Sequence, residues 1–127
     1  MPARDCKEAI AVTDNRSILT RLAGIIQDRK KNPPPRSYTT SLMQGGVEKI
    51  GAKVLEEAAE VVDAARELEK LEGRDSDSTA HLVAEAADLT YHLLVMLGYF
   101  DLSLTPVENE LDRRFGVSGL DEKAARE

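Results

Sequence analysis

Apolar residues recur at helical spacing along most of the chain. From Ser17 onward, Ile18, Leu19, Leu22, Ile25 and Ile26 share one side of a 3.6-residue repeat, and Ser17 stands where a cap belongs. The spacing predicts a first helix that stops near Lys31, because Pro33, Pro34 and Pro35 remove backbone donors and force extended conformations before them. Arg36 to Gly46, with hydroxyls at Ser37, Thr39, Thr40 and Ser41, reads as a loop closed by Gly45 and Gly46. A second helix follows, with Val47, Ile50, Val54, Ala58, Val61, Val62 and Ala65 on one face, continuing to about Leu71 and ended by Gly73. Ser76, Asp77 or Ser78 is expected to cap a third helix carrying Leu82, Val83, Ala86, Leu89 and the run from Leu93 to Leu97. Its second half is apolar nearly all round, so it must be covered on several sides. Thr105, Pro106 and Glu108 then predict a fourth helix, with Thr105 as its cap, reaching about Phe115.

This pattern contains no strand, and the expected fold is all-α: a four-helix antiparallel bundle. A length of 127 residues suits one domain. Residues 1–16 have weak periodicity and scattered charge and are expected to form a partly disordered extension; 17–116 form the helical domain and 117–127 a charged tail. Aromatic residues are only 4% of the chain, so burial rests on many small and aliphatic side chains, and a dimer interface would enlarge so small a core. The net charge of −6 opposes binding to nucleic-acid backbones. Cys6 is the single cysteine, which excludes an internal disulfide and a cysteine-based zinc cluster. No signal-peptide pattern and no run of about 18 apolar residues occurs, so a cytoplasmic protein with no membrane partner is expected.

Two helices carry acidic pairs at the same spacing: Glu57 and Glu60 on the second, Glu85 and Asp88 on the third. At roughly 100° per residue, each pair lies about 60° and 120° to one side of an apolar position, Val54 or Leu82. If the two helices pack as antiparallel neighbours, which the short turn favours, the four carboxylates meet on the rim of the shared core. A cation would relieve their repulsion, and oxygen ligands without His or Cys suit Mg²⁺ or Mn²⁺ rather than zinc, with Mg²⁺ the default. Solvated acidic positions are the bland alternative, and it weakens when two matched pairs flank apolar stripes. Lys49 and Lys53 lie on the same side stripe, one to two turns earlier, where they could contact phosphates; a helical salt bridge from Lys53 to Glu57 is the competing reading. Arg36 and the loop hydroxyls are further candidates for substrate contact. His92, one turn beyond Asp88, could meet substrate or a carboxylate behind the site, or could be structural. Glu56 is either a surface residue or a base for the attacking water.

Read together, Glu56-Glu57-Ala58-Ala59-Glu60 and Glu85-Ala86-Ala87-Asp88 resemble the EExxE and ExxD motifs of the all-helical nucleoside triphosphate pyrophosphatases, a group that includes MazG proteins and dimeric dUTPases. The run SYTTSLMQGGVEKIGAKVLEEAAEVVDAA, with EAADLTYHLLVMLGYFDLS, is similar to the phosphoribosyl-ATP pyrophosphatases in particular, over about residues 18 to 115. Arg36-Ser37-Tyr38-Thr39, Lys49, Lys53 and the run from Asp88 to His92 carry that narrower resemblance; Gly45-Gly46 departs from it, relatives often having a larger residue beside one glycine. The resemblance implies hydrolysis of phosphoribosyl-ATP in histidine biosynthesis, Mg²⁺ on Glu57, Glu60, Glu85 and Asp88, Glu56 as proton acceptor, a homodimer, and a stand-alone form without the cyclohydrolase domain. Competing readings are a house-cleaning pyrophosphatase for noncanonical nucleotides, and a helical dimerisation module without catalysis.

Overall fold

Ser17 does cap the first helix. Its hydroxyl accepts a hydrogen bond from the Thr20 amide at 3.2 Å, and α1 runs Ile18–Lys31 in a computed structural model that describes residues 14–116. Arg29, Lys30 and Lys31 fill the last turn, where cations oppose the exposed carbonyl dipole. Three further helices follow: α2 (Tyr38–Lys70), α3 (Ser76–Tyr99) and α4 (Thr105–Phe115). There is no strand among the described residues, so the fold is all-α. Most of the expected extension and all of the expected tail lie outside them.

The expected loop from Arg36 to Gly46 is helical from Tyr38 onward. Ser37 caps it by accepting from the Thr40 amide at 3.1 Å. Thr39 and Leu42 are buried, and this tertiary packing outweighs the weak helix propensity of consecutive threonines and serines. The glycine signal still marks a real boundary: Gly46, at φ 67° and ψ −161°, breaks α2 in two. Only glycine tolerates that conformation readily. Contacts with α3 show what the break accomplishes. Tyr38 meets His92 and Gly46 lies against Tyr99, so residues 38–45 advance along α3; Gly51 then meets Met96 and Glu57 meets Asp88, so the chain runs back. Lys49 bridges the reversal by donating to the Ser41 hydroxyl at 2.6 Å.

The turn into α3 uses Glu72 and Gly73 at positive φ, with the Gly73 amide donating to the Leu68 carbonyl at 2.9 Å. Asp75 caps α3, rather than Ser76, Asp77 or Ser78: its extended backbone lets the carboxylate accept from the Ser78 amide at 2.9 Å. At α4, Thr105 is already helical and Leu104 precedes it with no side-chain cap, one residue from the expected start.

Ile26, Leu42, Ile50, Leu94 and Val95 form the buried core where α1, both halves of α2 and α3 meet. α1 reaches α3 at Gly98, where an added Cβ would fall 2.8 Å from Ile26 Cγ2. Gln27 donates to the Gly98 carbonyl, and Lys30 reaches the Tyr99 carbonyl and Asp101, each within 3.0 Å. α4 buries none of its residues. No described helix is long and apolar enough to cross a membrane.

Candidate active site

The long half of α2 and its antiparallel partner α3 bring the two acidic motifs together. One carboxylate oxygen each from Glu57, Glu85 and Asp88 lie within 4.8 Å of one another. Glu57 is buried, Glu85 half-buried and Asp88 exposed, so the cluster opens from the core toward solvent. Glu60, on the next turn of α2, is outside that group of three but contacts the Glu85 and Glu57 side chains. Hydrogen-bonding contact with Glu85 pushes its carboxyl above the ordinary range, and a contact with Glu57 pulls the other way.

The donor set fits a hard divalent cation. Glu57 Oε2 and Glu85 Oε2 are both out of solvent and lack any hydrogen-bond partner. A buried carboxylate oxygen left unpaired is costly, and a cation between α2 and α3 would satisfy both. The other oxygens of these groups are engaged. His81, one turn before Glu85, contacts Glu85 Oε1 at 3.2 Å, and Lys53 approaches Glu57 Oε1 at 3.5 Å.

Lys53 holds Glu56 as well as Glu57, so the helical salt bridge weighed for Lys53 is present, with Glu56 as a second partner. The hydrogen bond to Glu56 pushes the lysine pKa up and holds the Glu56 carboxyl below its ordinary value. Glu56 itself is exposed, beside the cluster. Lys49 is occupied by Ser41, and Arg36 is exposed at the edge of a groove before Tyr38.

His92 is buried, and both ring nitrogens are used inside the chain. Nδ1 lies 2.7 Å from the Asp88 carbonyl, which only accepts, so Nδ1 carries the proton. Nε2 is then the acceptor for the Tyr38 hydroxyl at 2.9 Å. The histidine ties the backbone of Asp88 to the start of α2, away from direct contact with solvent.

A family model described as phosphoribosyl-ATP pyrophosphohydrolase matches residues 19–115, which includes every residue of the cluster. The chain belongs to the phosphoribosyl-ATP pyrophosphohydrolase family. It is 49% identical over 109 residues to the phosphoribosyl-ATP pyrophosphatase of Nitrosospira multiformis, covering 86% of this chain and 83% of that protein. The proteins of the same name from Burkholderia multivorans and Burkholderia ambifaria are 46% and 45% identical over 108 residues, covering 85% of each chain.

For a member of the phosphoribosyl-ATP pyrophosphohydrolase family, the aromatic and hydroxyl layer behind the acids is the part that periodicity does not reveal. Tyr38 stacks on Tyr91 with centroids 6.2 Å apart, and the Thr39 and Tyr91 hydroxyls form a short hydrogen bond. Desolvation of its hydroxyl beside His92 pushes the Tyr38 pKa up, although the residue as a whole is half exposed. Tyr38 and His92 are 54 positions apart. No local pattern links them; both do fall in the runs that carry the family resemblance.

Proposed function

We propose that this chain hydrolyses phosphoribosyl-ATP to phosphoribosyl-AMP and pyrophosphate, as the names of its relatives indicate, with Mg²⁺ held by Glu57, Glu60, Glu85 and Asp88. The observation that carries the reading is the meeting of acids from two helices around two unpartnered buried oxygens. When bound, the cation supplies positive charge against the polyphosphate and polarises its bridging bonds. The protein supplies placement. Lys53, already beside the acids, is positioned to exchange Glu56 for a phosphate oxygen. Glu56, thereby released and facing solvent, is the carboxylate placed to take the proton of the attacking water. His92 and Tyr38 hold α3 and the start of α2 in register behind Asp88. A reducing compartment such as the cytoplasm suits a chain with one cysteine.

A homodimer belongs to the same reading. Only six apolar side chains are buried among the described residues, while Leu55 is 75% and Val83 63% exposed on the α2–α3 pair. Such surface favours burial against a second copy. Light scattering should therefore return about twice the chain mass of 13.9 kDa; the single-chain mass at micromolar concentration argues against it.

Pyrophosphate release tests the activity. Phosphoribosyl-ATP should be turned over in Mg²⁺, with the rate abolished by chelation and restored by adding the cation back. A panel of deoxynucleoside triphosphates should be poorer substrates. Equal or faster release from the deoxynucleotides would reject this substrate in favour of a house-cleaning role.

A further inference from the structure

A polar recess at the start of α2 is connected to the acids through Ser41 and Lys49 and has no part in the metal and proton chemistry assigned to them. Prolines 33–35 stiffen the chain ahead of Arg36, which adopts φ 59° in the left-handed region that side chains seldom occupy. Arg36, Ser37, Ser41 and Gln44 line a groove of about 490 Å³ with these prolines. Thr40, also in its wall, keeps its hydroxyl oxygen out of solvent without a partner. Arg36 itself makes no hydrogen bond or ion pair with the described residues.

The recess is joined to the acid cluster by cations. Ser41 on its wall accepts from Lys49, Lys53 follows one turn later, and Lys53 touches Glu57. Lys49 and Glu57 are two turns apart on α2, about 12 Å along the axis. A single ligand on this stripe would meet hydroxyls and cations at one end and the metal-holding acids at the other. Phosphoribosyl-ATP has matching chemistry: a triphosphate at one end and, across a purine and two riboses, a phosphate monoester at the other.

We infer that the Arg36 recess, with Ser37, Ser41 and Gln44, binds the ribose 5-phosphate end of the substrate. It is the specificity element that separates phosphoribosyl-ATP from nucleoside triphosphates lacking a second phosphate. This assignment rests on the proposed function, since it takes that substrate as the occupant. Arg36 supplies a forked donor for the phosphate, and the serine hydroxyls and Gln44 amide surround it.

Calorimetric titration of the full chain with ribose 5-phosphate, alongside steady-state kinetics, tests it. The parent should bind the probe, and Arg36→Ala should weaken binding at least about tenfold, the scale of one charge-assisted hydrogen bond. Arg36→Lys should restore part of the loss. In turnover, Arg36→Ala should raise KM for phosphoribosyl-ATP by a similar factor, with the effect on kcat much smaller. Ser41→Ala serves if Arg36→Ala does not fold, with the same direction expected. Unchanged probe binding in these variants, no probe binding by the parent, or a loss confined to kcat would overturn the assignment. If the parent binds ribose 5-phosphate through Arg36 but does not hydrolyse phosphoribosyl-ATP, the proposed reaction fails while the phosphate subsite stands. Normal turnover with no response to Arg36→Ala rejects the subsite and leaves the reaction in place.

Discussion

Replacing Glu57 with Gln should lower kcat/KM for phosphoribosyl-ATP about a thousandfold. A cation acting on developing phosphoryl charge contributes several kcal/mol, and each 1.36 kcal/mol is about a factor of ten. Glu57 is the buried member of the cluster, so loss of its charge removes the ligand least replaceable by water. Stability should move the other way when no cation is present. Gln keeps the shape, removes one of several crowded negative charges, and brings an amide that can donate to the unpartnered Glu85 Oε2. The cation-free variant should therefore melt no lower than the parent, and Mg²⁺ should raise the melting temperature of the parent far more than that of the variant. This pairing separates loss of the site from loss of the fold. Activity within tenfold of the parent, or an equal response of both proteins to Mg²⁺, would show that the cation binds elsewhere.

The second large effect is on the core. Ile50→Ala should cost about 2–5 kcal/mol, the range for truncating a buried isoleucine into a cavity. Ile50 is fully buried and clusters with Leu42, Leu94 and Val95, at the seam between the two halves of α2 and α3. With so few residues buried, neighbouring side chains have little means of filling the gap. Net stability of an ordinary domain is about 5–15 kcal/mol, so the loss removes a large fraction of it. Urea titration should show a lower midpoint at unchanged slope. Ile50 is not a member of the acid cluster, and kcat measured at low temperature should stay near that of the parent while inactivation on heating becomes faster. An unchanged urea midpoint would mean that this core is not what holds α2 against α3.

The meeting of Glu57, Glu85 and Asp88 is legible in the sequence because a helix converts spacing into direction: two ExxE/D pairs beside apolar stripes can meet when the helices are antiparallel. The same local rule marks Ser17 as a cap and Gly46 as the boundary before the long helix. It misreads residues 38–45, where threonine and serine signal a loop but burial of Thr39 and Leu42 stabilises a helix. Asp75 escapes it as a cap because several polar residues stand together there and spacing does not rank them.

By itself, the chain determined what depends on nearest neighbours along a helix: four helices, their approximate ends except the start of α2, the face each acidic pair occupies, and the motifs that place it in its family. Tertiary structure decided what depends on residues far apart in sequence. It reversed the chain at Gly46, set Tyr38 against His92, engaged both nitrogens of that histidine, and left two carboxylate oxygens buried without partners. The physical reason is one of range. Helical periodicity is fixed by hydrogen bonds that span about four residues, whereas the burial and pairing of a polar atom depend on which other segment comes to lie across from it.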